Sequence, residues 1–378
     1  MEKMVECCLA LIYILLTVAS VGLLVVKIVE GRSVSWLVVL MVSGGILSCL
    51  VHSYVLKVGL VSVVCGLVHY IGRNEVMLPV LNRAVLITGC DSGLGHDLAR
   101  FLDAAGMRVF AGVLDESSPG AVELRKASSS SKLTVVQLDI TNMSQIKQAY
   151  QYIQSQTGET GLWGLVNNAG VLGYVCDAEL LPIQFYRKYL EVNFIGSVEV
   201  TQIFLPLIRQ SKGRIISISS MAGEIPLPGF PAYGASKAAL SAYSGTIRQE
   251  LSRWGVKVIV IQPGAFKTNI LGNREHWVRV HNEIVSGLSP DVMEAYGEEY
   301  ISSLQERLVK MTSSSSSNPG QFLDALKHAL LSSRPKPFYY PGAAAWALPF
   351  FYRHSPTFLS DMIFSRIFMP RDIRPAQL

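Results

Sequence analysis

Six short apolar runs set what this chain can fold into: AVLIT at 84–88, RVFAGV at 108–113, LTVVQL at 133–138, GLVN at 164–167, RIISIS at 214–219 and KVIVIQ at 257–262. Amphipathic stretches separate them: one opening after the Gly-rich turn at 89–95, one from about Pro119, one near 143–156, one ending near Arg209 and one bearing YGASK. Strands that alternate with helices pair in parallel, because each crossover helix returns the chain to the same end of the sheet. The expected fold is α/β, a Rossmann-type doubly wound parallel sheet with helices on both faces. Ligands of such sheets bind beyond the carboxyl ends of the strands. Functional residues are therefore sought just after each run.

A chain of 378 residues holds one large α/β domain plus an appendage. Half the residues are apolar and 16% are charged, and the apolar excess lies at the front. ECCLALIYILLTVASVGLLVV (6–26) is long enough to cross a bilayer. WLVVLMVSGGILSCLVHSYVL follows, up to Lys57, and then the shorter VGLVSVVCGLVHYI. Residues 1–75 are expected to form a membrane anchor of one to three passes; the other reading is a buried hairpin of the globular core. Lys3, Lys27, Arg32, Lys57 and Arg73 are scattered, so the positive-inside rule leaves orientation open. A catalytic domain is expected over 80–345. The tail over 346–378 is rich in aromatics with interspersed Arg. It either lies on a membrane surface or docks onto the globular domain or a partner subunit.

The net charge of +5 comes without a basic run or aromatic-basic interleaving, which excludes a nucleic-acid footprint. Four of the six cysteines sit in the apolar front. Cys90 and Cys176 are far apart and form no C-x-x-C, which speaks against a disulfide framework or a metal site.

TGCDSGLG (88–95) follows the first run and opens a helix. Gly89, Gly93 and Gly95 let the backbone approach a pyrophosphate, which the helix N-terminus favours. Asp115 lies 20 residues beyond Gly95. A carboxylate there accepts hydrogen bonds from an adenosine ribose and repels a 2′-phosphate, so it favours NAD over NADP. Otherwise it merely starts a loop with Glu116.

Tyr233 and Lys237 are one helical turn apart. An ammonium beside a phenol lowers its pKa from about 10 and makes a general base. Ser220 lies thirteen residues before Tyr233, just past a strand end, where its hydroxyl could hold a substrate oxygen. Asn193 sits in a helix between apolar neighbours and must find partners; taken alone it reads as a helix–helix contact.

The ordered set TGCDSGLG, NNAG (167–170), Asn193, Ser220, YGASK (233–237) and PG (263–264) makes residues 82–342 resemble the short-chain dehydrogenase/reductase family. GLWGLVNNAG, WGVKVIVIQPGAFKT and YYPG resemble its membrane-bound steroid and retinol dehydrogenase branch. The resemblance implies that Tyr233 is the acid–base, that Lys237 lowers its pKa and holds the nicotinamide ribose, that Ser220 orients the substrate oxygen and that Asn193 supports Lys237 through water. It implies that Asp139 contacts adenine, that Asn167, Asn168, Ala169 and Gly170 line the cofactor and that Thr268 meets the carboxamide. Asp91, Ser92, Leu94, Pro263 and Gly264 complete the cofactor set with Gly89, Gly93, Gly95 and Asp115.

The activity it implies is NAD-dependent oxidation of 17β-hydroxysteroids such as estradiol or testosterone, at the endoplasmic reticulum membrane. A corticosteroid 11-hydroxyl or retinol is the alternative. A catalytically dead nucleotide-binding scaffold is a remote one, and it would need a broken tetrad. Ile225, Leu227, Phe230, Trp277 and Met293 either line the steroid slot or belong to the core. The stretch 272–312 is a candidate lid. Homodimers through the helices bearing Asn193 and Tyr233 are usual in the family. The chain ends RPAQL, without a terminal lysine pattern for retrieval, so retention would have to come from the leader.

Overall fold

The front of the chain forms two helices, α1 (Glu2–Val29) and α2 (Tyr54–Ile71), which pack against each other, with Cys65 Sγ 4.0 Å from the Leu16 carbonyl oxygen. A computed structural model describes residues 2–29, 44, 53–71, 76–127, 132–267, 270, 274–305, 315–368 and 374–377. Contacts divide the chain into two units, Met1–Val76 and Met77–Leu378. The middle apolar run, 36–56, lies mostly outside the described residues. Leu11, Leu15, Val18, Val55, Leu56 and Val63 point outward from the helix pair. Water disfavours such a display of large aliphatic side chains.

In the second unit the six apolar runs become strands: β1 (Ala84–Ile87), β2 (Arg108–Val113), β3 (Leu133–Gln137), β4 (Gly164–Asn167), β5 (Arg214–Ile218) and β6 (Lys257–Ile261). They form a parallel sheet in the order β3-β2-β1-β4-β5-β6, extended by β7 (Phe338–Tyr339) through Val260 opposite Phe338 and Ile261 opposite Tyr339. The order reverses between β1 and β4, so the crevice of a doubly wound sheet opens beyond these two strands.

Alternate side chains of each strand enter opposite layers. Val85 and Ile87 face α3 (Gly93–Ala104) and α4 (Pro119–Ala127) through Leu98, Leu102 and Leu124. Ala84 and Leu86 face α5 (Met143–Thr157) and the long helix α6 (Ile183–Ser211) through Ile153, Phe204 and Ile208. α7 (Pro231–Ser252) completes that layer with Ile247 and Leu251. Among the described residues α6 is long and apolar enough to cross a membrane, but Val200, Phe204, Leu207 and Ile208 bury it against the sheet. It is a core helix, and it is not the expected anchor.

Beyond the strand ends, α8 (Arg274–Ser286) and α9 (Pro290–Tyr296) pack on the segment 171–189. Hydrogen bonds hold this cover down. Tyr174 Oη and His281 Nδ1 stand 2.7 Å apart, Tyr296 donates to Glu179 at 3.1 Å, and Tyr300 donates to Asp177. The expected lid is thus a helical cover stapled to its rim. After α10 (Gly320–Leu331), which covers the first face through Phe322, Leu326 and Leu330, the tail forms α11 (Ala347–His354) and α12 (Thr357–Phe368). Pro349 and Phe364 are buried, while Trp346, Phe350, Phe358 and Ile367 stay exposed. One face of the tail docks on the globular unit and the other is aromatic and open.

Candidate active site

The turn after β1 is shaped by what a side chain would strike. Gly89 has φ +69°, a conformation that favours glycine. A Cβ on Gly95 would stand 2.3 Å from Gly89 O and 2.4 Å from Asn168 Nδ2, so only glycine lets α3 start this close. The Ser92 side chain does not cap α3, which leaves its first N–H groups for an anion. Leu94 and Gly93 lie in this first turn.

The three acids divide. Asp91 is tied to its neighbours: its carboxylate accepts from Leu114 N at 2.9 Å, Asp115 N at 3.1 Å and Ser118 Oγ at 3.4 Å. It fixes the β2–α4 loop instead of facing outward. Asp139 takes Thr141 N at 2.9 Å and Thr141 Oγ1 at 2.7 Å, closing the turn before α5. Asp115 is exposed at the end of β2. The Ser117 hydroxyl and then its N–H hold the Asp115 carboxyl below the usual range, at 2.6 and 2.8 Å. It stays ionised, with Oδ2 open to a ribose diol.

NNAG bridges β1 to β4. Thr88 Oγ1 accepts from Asn168 N at 3.0 Å and Ala169 N at 2.9 Å, and Asn168 Nδ2 donates to Thr88 O and Gly89 O at 2.9 and 3.0 Å. Thr88 carries no role of its own in the sequence reading, and it and Asn168 lock the floor of the crevice. Their signal was position: a hydroxyl at one strand end facing an amide at the next. Asn167 turns the other way. It is buried, and Nδ2 donates to Thr201 Oγ1 of α6 at 2.9 Å. Its side chain braces the sheet and does not line the crevice.

α6 is not regular. Residues Glu191–Gly196 are π-helical, and such bulges re-aim side chains at functional sites. Here the bulge aims Asn193. Its Oδ1 accepts from Val171 N at 2.8 Å, and its Nδ2 donates to Val171 O at 2.8 Å and Ser236 Oγ at 2.9 Å. Asn193 is fully satisfied by protein. It nevertheless borders Lys237: a Cβ on Gly170 would sit 3.1 Å from Asn193 Oδ1 and 3.2 Å from Lys237 Nζ. Glycine keeps a side chain out of that gap.

Tyr233 and Lys237 share one buried face of α7. Lys237 Nζ lies 5.9 Å from the Tyr233 ring centre and donates to Ile218 O at 2.8 Å. Ser220 caps a short turn, Met221–Gly223, after β5, and its hydroxyl stands by the phenol and favours its ionised form. The expected lowering of the tyrosine does not occur in the protein alone. Burial pushes the Tyr233 phenol up to about 12, with the Ser220 hydroxyl pulling the other way. Burial also pushes the Lys237 ammonium down to about 8. Desolvation disfavours both charged forms.

Pro263 O accepts from Met221 N at 3.4 Å, and Gly264 packs against the Ala343 backbone. Together they wall the site opposite α7. Thr268 lies outside the described residues. Phe230 sets its ring 6.4 Å from Tyr233 and joins Trp277, Tyr186 and Val292 in the partly buried apolar cluster under α8 and α9. Leu227 and Met293 are half-buried. Ile225 is fully buried and belongs to the core.

Together these pieces offer a cradle for a pyrophosphate, an ionised acid for a ribose, and a Ser–Tyr–Lys–Asn arrangement beside an apolar cluster. The family description "short chain dehydrogenase" matches residues 83–279. This chain belongs to the short-chain dehydrogenase family, whose fold binds a nicotinamide dinucleotide. It is similar to estradiol 17-beta-dehydrogenase 2 of Mus musculus, 46% identical over 82% of this chain and 82% of the relative. It is also similar to 11-beta-hydroxysteroid dehydrogenase type 2 of Oryctolagus cuniculus, 43% identical over 79% of this chain and 75% of the relative. A short-chain dehydrogenase from Streptomyces avermitilis shares the fold, with a TM-score of 0.58 at 24% identity, covering 75% of this chain and 96% of its own.

Proposed function

We propose that the chain is an NAD-dependent dehydrogenase that oxidises 17β-hydroxysteroids to 17-ketones. The observation that carries the reading is Ser220 beside the Tyr233 phenol, next to buried Lys237 and opening on apolar Phe230 and Trp277. Ser220 and Tyr233 hold the substrate hydroxyl between them. The Tyr233 oxygen takes its proton, while the bound nicotinamide dinucleotide supplies the acceptor for the hydride leaving the same carbon. Burial raises the Tyr233 phenol and lowers the Lys237 ammonium. Both proton-free forms gain as pH rises, so oxidation speeds up with pH. Asn193 and the Gly170 gap keep a water path to Lys237 for the proton to leave. A relative that acts on an 11-hydroxyl is nearly as similar, so the corticosteroid is the second reading.

The test is reduced-nicotinamide formation by membranes containing the chain, offered estradiol, testosterone, a corticosteroid and retinol, each with NAD and NADP. Turnover of the 17β-hydroxysteroids with NAD is expected; turnover of the corticosteroid or retinol alone would move the specificity to the second reading. Asp115→Ser is expected to raise the NADP rate relative to NAD by about tenfold. Two like charges some 4 Å apart near a protein surface repel by roughly 1–4 kcal/mol. An unchanged cofactor ratio would remove Asp115 from the ribose.

Residues 1–75 are the proposed membrane anchor, at the endoplasmic reticulum, supported by the outward aliphatic faces of α1 and α2. The tail's exposed Trp346, Phe350 and Phe358 are a separate apolar surface of the second unit that suits a membrane face. The chain should stay with the membrane pellet after an alkaline carbonate wash, and release into the supernatant would end the anchor assignment.

A further inference from the structure

Helix α11 reaches the candidate site through one ion pair. Glu224 ends the turn that Ser220 caps. Its side chain is 9% exposed, and its carboxylate faces the Arg353 guanidinium of α11. Neither oxygen accepts a hydrogen bond from the surrounding backbone. A buried carboxylate without its cation is strongly disfavoured. The pair therefore fixes where the end of the turn lies relative to the tail.

The turn has no slack to absorb a shift. Ala222 N donates to Ser220 Oγ at 3.1 Å, Gly223 N to Ser220 O at 3.0 Å and Ile225 N to Met221 O at 3.0 Å. Its underside lies on α7. A Cβ on Gly223 would stand 2.7 Å from the Lys237 carbonyl carbon, and one on Gly234 would stand 2.9 Å from Ala222 O. A displacement of Glu224 is thus passed to Ser220 Oγ and to the side of α7 that carries Tyr233 and Lys237.

We propose that Arg353 is a positioning residue: through Glu224 it holds the Ser220 hydroxyl in register with Tyr233, so the C-terminal tail is part of the alcohol-binding arrangement. The inference rests on the roles given to Ser220 and Tyr233 above. Arg353 touches neither substrate nor cofactor.

The test compares the full chain in membranes with Arg353→Gln, Arg353→Lys, Glu224→Gln and the Glu224→Gln/Arg353→Gln double variant. Arg353→Gln is expected to lower kcat by about 10–100-fold, the cost of a displacement on the order of 1 Å at a reacting group. Nucleotide affinity, read by fluorescence of bound NADH, should not change. Arg353→Lys should restore most of the loss, since a single contact needs only a cation in reach. The double variant should lose no more than either single one, the mark of one shared interaction. Wild-type kcat in Arg353→Gln, no rescue by Arg353→Lys, additive losses, or a parallel fall in nucleotide affinity would each overturn the inference. Absence of turnover by the wild type would overturn this inference and the functional reading together; a defect confined to the comparisons above touches this inference alone.

Discussion

Tyr233→Phe should lower turnover of the alcohol by about 10²–10⁴-fold, the usual weight of a positioned acid–base group, and leave nucleotide binding intact. The substitution removes one oxygen and keeps the ring. That ring is 8% exposed and packs 6.4 Å from Phe230, so its apolar burial is retained. The phenol gives up its interaction with the Ser220 hydroxyl, and Ser220 Oγ still accepts from Ala222 N at 3.1 Å. The folding cost is then on the order of 1 kcal/mol, far too small to explain a thousandfold loss of rate. Measured single-turnover formation of reduced nicotinamide separates the two: the chemical step collapses while NADH fluorescence titrates as in the wild type. A variant that turns over steroid at the normal rate would remove Tyr233 from the mechanism. A loss of both turnover and nucleotide binding would mean that the ring, not the hydroxyl, was the functional part.

Much of the scaffold is legible because a parallel sheet buries its strands on both faces, and such strands read as unbroken apolar runs. β1–β6 fall on the six runs, and the glycines of 89–95 announce a tight turn. β7 is two residues long between Pro337 and Pro341, too short for any period to show. The π-helical step at Glu191–Gly196 is equally silent, because one extra residue per turn leaves no mark in composition. Asn167 and Asn168 adjoin in sequence, yet one faces Thr201 and the other Gly89. Adjacent residues at a strand end point to opposite faces, so chemistry alone did not tell which one lines the crevice. The titration of Tyr233 was misjudged for a related reason. Spacing gives the neighbour's charge, but burial, which sequence does not give, sets the larger effect here.

Lys237→Met should stabilise the protein at neutral pH while abolishing its activity. Lys237 is 3% exposed, and burial takes its ammonium from 10.5 to about 8. The unfolded chain binds the proton more tightly than the folded one, so between pH 8 and 10.5 stability rises with pH, and the penalty is fully present below about 8. The size of the shift corresponds to about 3 kcal/mol at pH 7. Methionine fills the same length without charge. Against that gain stands the lost hydrogen bond to Ile218 O at 2.8 Å, about 1 kcal/mol for a carbonyl left unpaired. A net gain of about 2 kcal/mol is expected, seen as a rise in Tm of several degrees. The gain should hold up to about pH 8 and then shrink as the melt is repeated toward and above 10.5, where the wild-type lysine loses its charge in the unfolded chain too. Tyr233 acts in the opposite sense. Its phenol lies at about 12 when folded against 10.0 when free, so its own contribution falls only above pH 10 and does not disturb this window. A variant no more stable than the wild type, or one whose advantage does not depend on pH, would mean that the ammonium is solvated or paired in the folded state. The stored cost of Lys237 would then not be what the site spends to hold a base ready, and the trade between stability and function would have to lie in another residue.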